Sequence, residues 1–348
     1  MPDKARVSIK DIAKAAGVSH STVSRSLGNS TLVNSETKER VQRFAREMGY
    51  TPNAAARSLV MGRTRTVGVV VTTIADPFIA EVTQGIESTA YEHGYTVILA
   101  SSNSDPSREI AAVEMLRSKR VDGVIVTSSR VGALYQEHLE RIGVPVVLIN
   151  NHSEQTGRYT FSITVDNQHG GHLATLHLIG LGHRRIAYIT AQVNHSSNMG
   201  RLAGYRQAVS EAGIQFDPAL VVTGNGRVDG GEQSWPALTA LADPPTAVFC
   251  YNDMTAIGLL RAAKSSGVIV PQDLSIVGFD NIPFASYVSP PLTTIAQPQF
   301  EMGQRAMKMA LVLMTQAPSD VQTLDINIKG QLIVRESSGA VTLRRSIG

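Results

Sequence analysis

A single cysteine, Cys250, stands among 348 residues, which excludes an internal disulfide framework. It lies in the apolar run AVFCYND and reads as a small residue of a buried strand rather than a nucleophile. No window approaches 18 consecutive apolar residues, so no membrane-spanning helix is expected. The first residues, MPDKARVSIKDIAKAAG, carry charge instead of the long apolar stretch of a secretory signal, and the cytoplasm is the expected address. No Ser/His/Asp arrangement with a nucleophile motif occurs, and no paired acids stand out, so an enzyme is not expected. GNGRVDGG is glycine-rich but lacks the spacing of a phosphate loop. His169, His172 and His177 spread over about 140° of a helix and do not converge as a metal requires. Neither metal nor cofactor is expected.

What is present fits a soluble globular protein, 43% hydrophobic and 18% charged, long enough for two or three domains. Acidic residues are scarce at one end. Residues 1–65 hold twelve Lys/Arg against five Asp/Glu, whereas the remainder carries a net −4. A basic head on a slightly acidic body points to a polyanionic partner for the head.

The head reads as three short helices. Ser8 can cap a helix over 9–16 whose apolar face is Ile9, Ile12, Ala13 and Ala16, with Gly17 making the turn. Ser19 caps a second helix running to Leu27, which Gly28 can end in the left-handed conformation. NSETKERVQRFAREMG supplies a third, with Val41, Phe44, Ala45 and Met48 inward and Gly49 closing it. This is the pattern of a helix-turn-helix unit. The second helix, HSTVSRSL, is unusual in its polar content. His20, Ser21, Ser24 and Arg25 fall within about 140° of one another, and Val23 and Leu27 point back into the small core. Such a short polar face suits entry into the major groove of double-stranded DNA. Arg25 can donate two bonds to a guanine edge, and His20 and Ser21 can read neighbouring bases. Ser19 and Thr22 suit phosphate contacts, which position without specifying.

Pro52 stops the third helix and opens a segment, NAAARSL, too short to be a stable helix alone. From Val67 onward, apolar strand-like runs (TVGVVVTTI, YTVILASSN, DGVIVTS) alternate with helical ones (PFIAEVTQGIESTAYEHG, SREIAAVEMLRSKRV). A second series, beginning near Phe161, includes RIAYIT, AVFCYND and SIVGFD. Alternation of this length predicts two doubly wound parallel-sheet lobes. Ligands of open α/β sheets sit at the carboxyl ends of strands. The polar residues there are Asp76, Asn103, Asp166, Asn252, Asp253, Asp280 and Asn281.

The head sequence VSIKDIAKAAGVSHSTVSRSL, the segment GYTPNAAARSL, and then LGHRRIAYI, RLAGY, NDMTAIG, DLSIVGFDN and PPLTTIAQP follow in an order that resembles the LacI/GalR family of bacterial transcription regulators over nearly the whole chain. The resemblance implies a small all-α helix-turn-helix head over 1–50 and a hinge helix and linker over 51–65. It implies a periplasmic-binding-protein-like body over 66–348, with one lobe at about 66–165 and 295–327 and the other at about 166–294 and 328–342. It implies that Asn53, Ala56, Arg57 and Leu59 of the hinge meet DNA, with Leu59 wedged into a base step beside Ala56. Arg201, Asn252 and Asp280 would bind an effector between the lobes, with Phe78 giving an apolar face and Asp76 and Asp166 among the strand-end candidates. The expected function is that of a repressor whose operator affinity an effector controls. The C-terminal stretch SSGAVTLRRSIG lacks apolar heptads, so a homodimer is expected.

One departure from the family pattern bears on the effector. Where many members place an aromatic side chain, this chain has VTGNGRVDGGE with Gly226 at the matching position. Trp235 or Phe216 could substitute from elsewhere. Asp and Asn with little aromatic surface favour a sugar or sugar acid. A purine or nucleoside, which wants a ring to stack on, is the alternative, and so is a stand-alone small-molecule binding protein.

Overall fold

The computed structural model describes residues 7–28, 30–50, 62–127, 143–150, 160–191, 196–315 and 326–341. The chain divides into two compact units, Met1–Thr64 and Arg65–Gly348.

The first unit holds α1 (Ile9–Ala16), α2 (His20–Leu27) and α3 (Ser35–Glu47). Ile12, Ala13, Ala16, Val23, Val41 and Ala45 are its buried core, with Leu27, Phe44 and Met48 packed around them. The apolar spacing of three and four residues on each helix is what aims these side chains at one point. Gly17 turns the chain at φ +67. The N-terminus of α1 is closed by Asp11, whose carboxylate accepts from the Ser8 backbone N–H at 2.8 Å and from the Ser8 hydroxyl at 2.7 Å. Gly28 differs from expectation. It sits at φ −85, ψ 7, outside the left-handed region, and its N–H bonds back to the Ser24 carbonyl.

The second unit contains β1 (Thr66–Val71), α4 (Pro77–Glu92), β2 (Thr96–Ser101), α5 (Pro106–Ser118), β3 (Gly123–Thr127), β4 (Val146–Ile149) and β5 (Thr160–Val165). Then follow α6 (Asn167–Gly180), β6 (Ile186–Ile189), α7 (Ser196–Glu211), β7 (Val221–Val222), α8 (Val228–Gln233), α9 (Trp235–Thr239), β8 (Ala247–Cys250), α10 (Asp253–Ser265) and β9 (Ser275–Asp280). The last elements are β10 (Thr293–Ala296), α11 (Gln299–Thr315), β11 (Ile326–Ile328) and β12 (Gln331–Ile333).

The strands make two six-stranded sheets, ordered β11-β5-β4-β3-β1-β2 and β12-β10-β9-β8-β6-β7. Among the described residues all pairings are parallel except β10 with β12. After Thr66 the run VGVVV is apolar throughout because β1 lies inside the first sheet, with Val69 level with Leu99 and Ile125. Val67, Val69 and Val71 pack into the core under α4 and α11, and Val70 into that under α5. The second sheet is covered on both faces in the same way. The series of units in the second lobe starts at β6, not near Phe161, since β5 belongs to the first sheet. Its ladder partner β4 draws it there, with Leu148 level with Ser162.

Glycines set the spacing between helices. A Cβ on Gly204 would overlap the Gln168 carbonyl oxygen, and one on Gly171 that of Arg201, so α6 and α7 pack backbone to backbone. Gly85 and Gly303 join α4 to α11, and Gly231 and Gly258 join α8 to α10, by the same close approach.

Candidate functional site

In the head, α2 presents His20, Ser21, Ser24 and Arg25 to solvent, while Val23 and Ser26 are buried. Ser19 holds the start of the helix, its hydroxyl oxygen accepting from the Thr22 N–H at 3.1 Å. The same oxygen lies 2.8 Å from the hydroxyls of Ser21 and Thr22. A capped helix with donors and acceptors on its free face is a ready-made reader of a groove. The hinge residues Asn53, Ala56, Arg57 and Leu59 lie outside the described residues.

In the body, the carboxyl ends of β1, β2, β4, β6, β7, β8 and β9 converge on a cavity of about 600 Å³ lined from both lobes. One lobe contributes Thr72, Thr73, Asp76, Phe78, Asn103 and Asn150; the other contributes Arg201, Gly226, Arg227, Tyr251, Asn252 and Asp280. Gln297, just after β10, lines it as well. Of the expected effector residues, Asp76, Phe78, Arg201, Asn252 and Asp280 are thus brought together.

Asp166 is not. It caps α6 by accepting from the His169 N–H at 2.9 Å, and it does not line the cavity. The chain crosses between lobes at this point, so its strand end faces the crossover. Asn281 also lies aside, its side-chain oxygen accepting from Arg335 at 2.7 Å. Asp253 is fully buried behind the wall, where it accepts from the Thr294 hydroxyl at 2.5 Å and the Ile282 N–H at 2.9 Å. Neither proposed substitute for the missing aromatic serves. Trp235 packs on the second-lobe core, and Phe216 lies against Tyr205. Tyr251, which the sequence reading passed over, lines the cavity instead. Its position directly after β8 was the available signal. Gln297, directly after β10, is a strand-end amide one methylene longer than the Asp and Asn residues that mark the other strand ends.

Arg201 organises the site. It is 3% exposed, and its guanidinium carbon lies 3.7 Å from the Phe279 ring centroid and 4.5 Å from that of Tyr251. Its Nε donates to Asn167 Oδ1 at 3.0 Å and its Nη1 to the Tyr251 carbonyl at 2.5 Å. Nη2 stands 3.6 Å from Asp280 Oδ1. Asp280 also accepts from Gln297 Nε2 at 2.5 Å and sits at φ +113, a backbone conformation rare outside glycine. Burial pushes the Asp280 carboxyl well up, Arg201 opposes this, and Asp253 and Asp76 reinforce it. Burial also raises Asp76, against the Phe78 and Ile79 N–H groups that hold its charged form. Asn252 both caps α10, accepting from the Thr255 N–H at 2.9 Å, and donates to the Gly226 carbonyl at 2.9 Å.

Burial lifts Asp253 to about 7. The unfolded carboxyl ionises near 3.8, so the folded state holds the proton longer and loses stability as pH rises between the two values. Asp253→Asn removes this loss. In urea unfolding from pH 4 to pH 8, the stability difference between variant and wild type should swing toward the variant as pH rises. A flat difference would contradict the assignment.

A helix-turn-helix head on a two-lobed body with a polar cavity defines a ligand-responsive DNA-binding regulator. Residues 8–53 match the family model for bacterial regulatory proteins of the lacI family, and residues 175–338 that for a periplasmic binding protein-like domain. The HTH-type transcriptional repressor PurR of Vibrio campbellii is 38% identical over 304 residues, covering 87% of this chain and 90% of that protein. The Lac repressor dimer bound to operator and the anti-inducer ONPF superposes with a TM-score of 0.85 at 27% identity, covering 97% of this chain and all of that one. The regulator CelR in complex with cellobiose gives 0.73 at 31% identity over 95% of this chain and all of that one. The chain belongs to the LacI family: it is a DNA-binding transcriptional repressor with an effector-binding domain, not an enzyme. No helix among the described residues is long and apolar enough to cross a membrane.

Proposed function

We propose that this repressor acts in the cytoplasm as a homodimer, each α2 entering a half-site of a near-palindromic operator, and that a sugar or sugar derivative in the interlobe cavity sets its operator affinity. Arg25 reads a guanine, His20, Ser21 and Ser24 read or flank neighbouring bases, and Ser19 and Thr22 hold phosphates. Asn53, Ala56, Arg57 and Leu59 add hinge contacts. The observation that carries the effector reading is the convergence on one cavity of Asp76, Asn252 and Asp280 from strand ends of both lobes and of Arg201 from α7. The cellobiose complex of CelR supports the sugar class. An effector changes operator affinity only by its differential affinity for the two lobe arrangements, typically about 1–3 kcal/mol of coupling. A second reading, a nucleoside effector, is favoured by the two aromatic residues lining the cavity, Phe78 and Tyr251.

A thermal-shift screen of sugars against nucleosides, followed by operator titration with and without the hit, decides between them. A sugar hit that changes operator affinity supports the first reading, a nucleoside hit the second. A hit with no effect on operator binding would remove the coupling.

Arg25→Ala is expected to weaken binding to the cognate operator by about 1–3 kcal/mol, while binding to unrelated DNA falls much less. Fluorescence anisotropy on both DNAs at matched salt measures this. Equal losses would make Arg25 a phosphate contact.

A further inference from the structure

We infer that Asn167 and Gln299 are positioning residues that carry the state of the Arg201–Asp280 pair to the interlobe crossovers, and through the lobe arrangement to operator affinity. This rests on the reading of the cavity as the effector site.

The chain crosses between the lobes after β5, after β10 and after β11. Arg201 on α7 and Asp280 at the end of β9 both belong to the second lobe. Each is nevertheless held by an amide side chain at a crossover, and neither amide lines the cavity. Asn167, two residues past the end of β5, accepts from Arg201 Nε through Oδ1 at 3.0 Å and donates through Nδ2 to the Val165 carbonyl at 3.0 Å. Val165 is the last residue of β5, in the first-lobe sheet. A flipped amide would set donor against donor and oxygen against oxygen, so the orientation is fixed. An added Cβ on Gly200 would lie 2.8 Å from Asn167 Cβ, so α7 rests directly on this residue.

Asp280 is held in the same way. Gln299 is the first residue of α11, which packs on the first-lobe core through Met302, Ala306 and Met307. Its Nε2 donates to the Asp280 carbonyl, and the Gln297 N–H donates to the same oxygen at 3.3 Å. Asp280 sits at φ +113, a conformation that persists only where neighbours over-determine it. The crossovers are in turn joined to one another. The Asp166 N–H donates to the Ile328 carbonyl at 2.9 Å, and an added Cβ on Gly330 would lie 3.0 Å from the Ala296 carbonyl oxygen. Buried hydrogen bonds are costly to leave unmade. Movement of the guanidinium or of the β9 end therefore takes its amide, and the crossover, with it.

The test is a mutant cycle on the full-length homodimer, read as the dissociation constant for the DNA duplex that the wild type enriches from a random-sequence pool. Arg201→Met with Asp280→Asn removes the pair without leaving a lone buried charge. Arg201→Lys, which lacks the Nε donor, takes its place if that variant does not fold. Removing the pair is expected to change operator affinity about tenfold in the wild type, about threefold with Asn167→Ala, and less than about twofold with Asn167→Ala and Gln299→Ala together. Asn167→Asp keeps the acceptor for Arg201 but cannot donate to Val165, and should match Asn167→Ala. The full wild-type effect in Asn167→Asp would mean that Asn167 only steadies Arg201, and overturns the inference. So does an undiminished effect with both amides removed, or no effect in the wild type. The reading of the cavity as the effector site fails separately: it falls if whichever of D-ribose, cellobiose and adenosine binds the wild type binds the variant lacking the pair equally well.

Discussion

Arg201→Ala is expected to destabilise the effector-binding unit by about 3–5 kcal/mol, the range for breaking a buried ion pair, and to abolish the response to effector. The guanidinium is the counter-charge for Asp280 and the filling between Tyr251 and Phe279. Without it, Asp280 keeps the Gln297 donor but faces Asp76 and Asp253 uncompensated. Its proton affinity rises further, so the penalty should shrink from pH 8 to pH 5 as the carboxyl is neutralised. Chemical denaturation at the two pH values measures this. Pairing Arg201→Met with Asp280→Asn should recover most of the stability while effector binding stays lost. A single variant as stable as wild type at pH 8 would show that the ion pair does not hold the site.

Gly204→Val should destabilise the same unit by on the order of 3 kcal/mol. The valine Cβ would overlap the Gln168 carbonyl and crowd the His172 N–H, and helix backbones cannot give locally as a side chain can. Forcing α6 and α7 apart also moves Asn167 from Arg201, which are joined across that seam at 3.0 Å. A loss of effector affinity should therefore accompany the fall in Tm. Gly213→Val makes the control. That glycine has no atom within 4 Å of an added Cβ, and its φ of +62 alone carries the strain. Its cost should be smaller and should leave effector affinity unchanged.

The head was legible because its information is local. Three and four residue spacing put Ile12, Val23, Val41 and Ala45 inside, and the caps at Ser19 and Gly17 lie within a few residues of what they close. The parallel sheets were legible for a similar reason, since a strand covered on both faces must be apolar throughout. The strand-end rule also found Asp76, Asn252 and Asp280. It failed at Asp166, whose strand belongs to one lobe while the chain is already leaving for the other. A rule about strand ends cannot tell a terminus facing the cavity from one at a crossover.

Periodicity, capping chemistry and charge distribution along the chain by themselves determined a basic helix-turn-helix head, two α/β lobes and most of the polar groups between them. Each of these depends on neighbours a few residues away. Only the tertiary structure decided that Tyr251 rather than Trp235 or Phe216 supplies the cavity's aromatic wall. It alone decided that Arg201 is committed to Asp280 and two rings, and that Gln297 donates to Asp280 beside them. Those facts depend on residues as far apart as Asn167, Arg201, Tyr251, Asp280 and Gln297 meeting in space, which depends on sheet order and helix approach and leaves no periodic trace in the chain.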